Sequence, residues 1–167
     1  MRRYPLVVVL VMFLFAAVVP KMVFGDTNTP RNLEPLGVQD KQELELIINK
    51  YVVNNYNYDP NNILDNLYQN RSLLTREFQE LTDKTLDQIA QVIKNSNVSC
   101  TLLGYSITDI KRMSEDKVRV TFLFDAKITS NTNIHINQYE GSLVLSKTNN
   151  SWLISEIGEE KITKFKV

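Results

Sequence analysis

Few side chains in this chain are of a type that does chemistry. It has one histidine, one cysteine and seven tyrosines. His135 stands between Ile134 and Ile136, beside a polar connection. An imidazole can move a proton near neutral pH. With no second histidine and a single cysteine, no zinc-type ligand spacing exists. Cys100 cannot form an intrachain disulfide and reads as a small buried hydrophobe in a strand. Asp125 alternates out of phase with Phe122 and Phe124, so it is expected to face solvent. Asp109 is expected to be exposed near a strand end. Paired acid–base carboxylates need environments that push their pKa values apart, and the sequence shows no such pair. It also lacks a glycine-rich phosphate loop, a nucleophile elbow and a P-loop. No catalytic, cofactor-binding or metal-binding residue is therefore assigned, and no cofactor is expected.

The elements that would position any site fall into two halves. Val98–Gly158 reads as an antiparallel meander. In Val118–Ile128 the even positions Val118, Val120, Phe122, Phe124, Ala126 and Ile128 are apolar, and the odd ones are polar apart from Leu123. Side chains alternate across a strand, so one face is buried and the other is wet. Val98–Ile110, Ile134–Lys147 and Trp152–Ile157 are the other three segments. Gly104 marks a bulge, because the apolar parity changes there. Thr148–Ser151 is a tight hairpin signal. The half before the meander is helical. Val38–Asn55 carries Leu44, Ile47, Ile48, Tyr51 and Val52 on a single stripe. Asp59-Pro60 restarts a short helix through Ile63 and Leu67. Ser72 is expected to cap a third, with Leu74, Phe78 and Leu81 inward. Thr85 with Gln88 resembles a capping box for a stretch from Leu86 to Lys94. The third and fourth stretches are either two helices or one helix bent in the middle. The expected fold class is α+β: helices on a four-stranded antiparallel sheet.

The N-terminus is an address or an anchor. Arg2 and Arg3 precede an apolar run, Leu6–Val19, and Val23-Phe24-Gly25 offers a cleavage site before Asp26. This fits a secretory signal. Leu6–Phe24 spans 19 residues, close to the ~20 that cross a bilayer, so an uncleaved anchor fits too. Either one places the chain beyond Gly25 outside the cytoplasm. The organisation is then residues 1–25 as signal or anchor, 26–37 as a flexible tether, 38–158 as the domain, and 159–167 as a charged tail or edge strand. From Asp26 onward there are 16 basic and 19 acidic residues. That balance supplies no basic field for nucleic acid.

A long first helix, shorter helices, and a meander closing on Lys147-Thr-Asn-Asn-Ser-Trp152 resemble the nuclear transport factor two-like fold. The resemblance covers Val38–Gly158 and implies a cone whose curved sheet wraps its helices. It also implies that two sheets can pack back to back as a homodimer. Lys50–Pro60, followed by Tyr68, Leu73-Leu74 and Phe78, is similar to the start of the periplasmic domain of the inner-membrane scaffold subunit of type IV secretion machines. Asn54-Asn55 replaces that family's Arg-Glu pair, and little chain precedes the apolar run. The expected function is a non-catalytic, extracytoplasmic protein-binding or assembly domain. The alternatives are the secretion scaffold itself, or a small-molecule carrier or lyase/isomerase-type enzyme using the cone interior. Leu123, Thr121 and Arg119 are the expected interface. Tyr51, Phe122, Phe124 and Tyr105 are the expected lining if the cone holds a pocket. The expected partners are another protein or a second copy, and the membrane through residues 6–24 if these are retained.

Overall fold

The computed structural model describes residues 33–131, 133–158 and 160–166. The expectations for residues 1–25, and for the tether as far as residue 32, lie outside the described residues. Three helices come first: α1 (Val38–Tyr56), α2 (Ile63–Arg71) and α3 (Arg76–Ser96). Five strands come after them: β1 (Val98–Ser114), β2 (Lys117–Ser130), β3 (Asn133–Thr148), β4 (Ser151–Ile157) and β5 (Lys161–Lys166). The four segments of the meander pair in sequence order, all antiparallel. The charged tail contributes the fifth strand. β4 pairs with Leu143–Thr148 of β3, and β5 pairs with Ile136–Glu140. Among the described residues no helix is long and apolar enough to cross a membrane.

The alternation of β2 is carried into the structure without a break. Val118, Val120, Phe122, Phe124, Ala126 and Ile128 are all buried, and the odd positions between them are half-buried. The stripe of α1 lies on this face. Leu44, Ile47, Ile48, Tyr51, Val52 and Tyr56 share one core cluster with the β2 residues, Leu143, Leu145, Trp152 and Ile154. Full burial of one such aliphatic side chain is worth roughly 1.5–3 kcal/mol, so this layer dominates the stability. A second cluster of Ile63, Leu67, Leu86, Ile89, Ala90 and Ile93 joins α2 to α3. The last described residues of the tether lie against the domain. Leu36 packs on the core, and the Glu34 carbonyl accepts a hydrogen bond from the Arg112 guanidinium.

Two helix starts differ from the sequence reading. α3 is one continuous helix capped by Thr75, whose hydroxyl accepts from the Phe78 N–H. Ser72 instead donates to the Gln69 carbonyl at the end of α2. Thr85 lies inside α3 and donates to the Thr82 carbonyl. Helical spacing from Phe78 then turns Thr82 inward, and Leu81 is 48% exposed. The register of β1 slips between Leu102 and Gly104, where the parity changed, and leaves Leu103 as the extra, exposed residue.

Asparagine makes the turns. Asn97 caps α3 with φ 49°, and Asn149 and Asn150 have φ 51° and 65°. Asparagine tolerates this left-handed region better than other side chains. Two such residues between Thr148 and Ser151 form the two-residue hairpin loop that matches strand twist. Gly141 has a different reason. It sits opposite Phe122 in the register, and a Cβ there would stand 2.9 Å from the Phe122 Cζ. The ring is 1% exposed and has nowhere to swing. Gly141→Val is expected to destabilise the domain by about 2 kcal/mol or more, seen as a lower urea midpoint at unchanged slope. Gly104→Ala meets nothing within 4 Å and is expected to stay within about 0.5 kcal/mol.

Candidate functional site

The two faces of the sheet offer different chemistry. On the concave face, Tyr56 stacks on Phe124 with ring centroids 4.0 Å apart, and Phe124 stacks on Tyr139 at 5.1 Å. Phe122 stands 5.9 Å from Phe124. The expected lining residues Tyr51, Phe122 and Phe124 are all buried in this packed layer. Tyr105 is half-buried on β1, with its hydroxyl donating to Asn49 Oδ1 of α1 at 2.9 Å. Tyr51 also borders a cavity of about 20 Å³ between the helices, together with Asn55, Asn70 and Thr82.

A carboxyl enters this layer from an unexpected place. Glu160 lies in the connection between β4 and β5 and accepts a hydrogen bond from the Tyr56 hydroxyl. The residue as a whole is half-buried, but its carboxyl is enclosed. Burial pushes its pKa from 4.5 up to about 7, against a smaller downward pull from Tyr56. The same burial, with the Glu160 charge, pushes the Cys100 thiol up to about 12. Cys100 is therefore an inert, protonated core residue. Burial raises Tyr51, Tyr56 and Tyr58 as well, with Glu160 adding to it at Tyr51 and Tyr56 and Cys100 at Tyr58. The Asn137 amide donates to the Tyr139 hydroxyl at 2.9 Å.

The other sequence candidates lie apart. His135 is half-buried opposite Ile128. Asp109 is exposed. Asp125 is half-buried on the outer face and accepts from Gln138 Nε2 at 3.2 Å. Among the described residues no three His, Cys, Asp or Glu side chains gather as metal ligands.

The outer face holds an open depression. A groove of about 330 Å³ is bordered by Arg119, Thr121, Glu140, Ser142, Glu156 and Lys161. Arg119 and Thr121 are two of the three expected interface residues. Leu123 comes next on the same face of β2 and is half-buried. Two cations and two carboxylates share the rim. Burial raises Glu156 above the ordinary carboxylate range, and Lys117 and Arg119 pull it partly back. The floor is the stretch of β3 where β4 hands over to β5. Gly158 there donates its N–H to the Ser142 carbonyl at 2.8 Å.

The arrangement of helices on a wrapped antiparallel meander decides the architecture. The fold is the nuclear transport factor two-like cone. An IcmL-like type IV secretion system protein from Legionella pneumophila matches with a TM-score of 0.58 at 9% identity, over 77% of this chain and 96% of that one. The periplasmic domain of DotI matches at 0.56 and 11% identity, over 77% and 97%. A ketosteroid isomerase-like protein from Erwinia carotovora matches at 0.58 and 11% identity, over 77% and 99%. No family model matches the chain. No curated protein matches it either. Identities this low establish the fold and leave the activity to the site itself.

Glu160 carried no sequence signal, because it stands in a charged tail beside Glu159 and Lys161. Tyr56→Phe removes the hydroxyl that holds the Glu160 pKa down. That pKa is expected to rise further above about 7, read from a carbon-13 titration of the Glu160 carboxyl. The linkage runs in one direction. An acid held above its ordinary 4.5 contributes its full stability below that pH, and loses it as the pH rises through about 7.

Proposed function

We propose that this chain is an extracytoplasmic assembly domain without catalytic activity, which pairs with a second copy of itself through the outer face of the sheet. One contrast carries the reading. The concave interior is filled by stacked aromatic rings, while the outer face presents an open groove of mixed charge. Arg119 and Lys161 on one copy can meet Glu140 and Glu156 on the other across a two-fold axis, which makes the surface self-complementary. Leu123 supplies an apolar contact beside them. In the test, the mass of Asp26–Val167 is measured by light scattering over a concentration series. A dimer is expected for the wild type. Arg119→Glu or Leu123→Glu is expected to shift it to monomer by about tenfold or more in dissociation constant. A wild-type monomer at high concentration removes the self-pairing.

A second reading places the same domain as a periplasmic scaffold subunit of a type IV secretion machine. The similarity to secretion and periplasmic proteins supports it, as does the hydrophobic segment at residues 6–24, whose apolar run is Leu6–Val19. It requires that run to be retained as a membrane anchor. Mass spectrometry of the native N-terminus separates the two. A chain beginning at Met1 is expected for the scaffold, and one beginning at Asp26 excludes it.

A further inference from the structure

The strand pairings divide the outer face into rows that cross the strands, because opposite residues in a ladder share a face. One row is Asp109 on β1, Thr121 on β2, Ser142 on β3 and, past β4, Gly158. On one side of it runs a row of Lys111, Arg119, Val144 and Glu156. On the other side runs a row of Ser106, Leu123, Glu140 and Lys161. Beyond that come Asp125, Gln138 and Lys164. Neighbouring rows stand about 7 Å apart, two residues of strand. The groove is therefore a furrow between two ridges, floored by the small residues Thr121, Ser142 and Gly158. The floor cannot be raised at its end, since a Cβ on Gly158 would collide with the Ser142 hydroxyl.

A second copy can fill the furrow, and shape and charge together choose how. Sheets that pack face to face lie about 10 Å apart with their strands nearly aligned, so whole rows meet. A two-fold axis along the strands sets furrow against furrow and leaves both empty. An axis along the furrow does the same, and it also opposes Asp109 to the other copy's Asp109. An axis across the strands, midway between the furrow and the Leu123 row, sets each Leu123 row into the opposite furrow. Leu123 then lies over the other copy's Thr121. Arg119 meets Asp125, Glu156 meets Lys164, and no row opposes like charges. Moving the axis to the other side of the furrow instead sets Leu123 against Lys117 of the next row. Lys164 is exposed, and Arg119, Asp125 and Glu156 are half-buried. Asp125 accepts from Gln138, and a carboxylate has room for further donors.

We propose that the furrow of each copy is filled by the Leu123–Glu140–Lys161 row of the other, in a register fixed by Glu156–Lys164 and Arg119–Asp125 contacts between copies. This register rests on the self-pairing reading. It brings in Asp125 and Lys164, which do not border the groove within one copy. The apolar contact comes from Leu123, and the opposed charges set the alignment. In an isologous pair every contact is made twice, so one substitution acts at two places.

Sedimentation equilibrium of the full chain in density-matched detergent tests this with two charge reversals. Lys164→Glu opposes carboxylates at both contacts, and Glu156→Lys opposes ammonium groups. Each variant alone is expected to raise the dissociation constant about tenfold or more. Mixed in equal amounts, the two again set an acid against a base at both contacts. The mixture is expected to return to within about threefold of the wild-type constant. Contacts inside one chain cannot produce that recovery. Arg119→Asp mixed with Asp125→Arg is expected to recover in the same way, and serves if either first variant fails to fold. A mixture as weak as its components overturns the register. If Leu123→Glu dissociates the dimer but the mixtures stay monomeric, the register fails and the outer-face reading stands. A wild type that is monomeric at high concentration removes both.

Discussion

The structure depends on one contact layer: the apolar stripe of α1 laid on the even-numbered residues of β2. Leu44, Ile48 and Val52 on the helix, with Val118, Val120 and Ala126 on the strand, have no measurable exposure. Each element is amphipathic by its own period, 3.6 for the helix and 2 for the strand. Neither can bury its apolar side alone. Once these two faces meet, the inside and outside of every paired strand are set, because opposite residues in a ladder share a face. The polar ends of the contact are also bound. Asp40 at the start of α1 accepts from the Trp152 indole at 2.9 Å and from Lys147 at 2.7 Å. These two donors hold its carboxyl below the ordinary range.

The same helices protect the sheet's edges. An open edge strand invites pairing with other chains. At the start of β1, Tyr58 and Cys100 exchange backbone hydrogen bonds of 2.9 and 2.8 Å. At β4, the Ile154 N–H donates to the Leu73 carbonyl and its carbonyl accepts from Thr75. Both caps come from the connections that flank α2. The residue that caps α3, Thr75, therefore also ties the helical layer to the last strand of the hairpin. This explains why Thr75 rather than Ser72 takes the cap: its backbone is already fixed by β4.

The cone's inside and outside are linked through the handover from β4 to β5. A carboxyl inside and a groove outside are attached to adjacent residues. In other folds such adjacency would be incidental. Here the two strands share one edge of β3, so a shift of the joint moves the rim of the groove.

The sequence alone determined the α+β class, the phase of β2, the stripe of α1, the Thr148–Ser151 hairpin and the place of the β1 bulge. These come from periodicity and turn chemistry, which act between near neighbours. It also placed Arg119 and Thr121 on the outer face, because parity along one strand settles that. Tertiary structure alone decided three things. It chose Thr75 as a cap, because the chain there is held by β4. It placed β5 on β3 instead of leaving a charged tail, because the unpaired edge below Leu143 could accept a strand. It carried Glu160 under Tyr56, 104 residues away in the chain. No local pattern encodes that meeting, since the pKa of a carboxyl is set by what surrounds it in space.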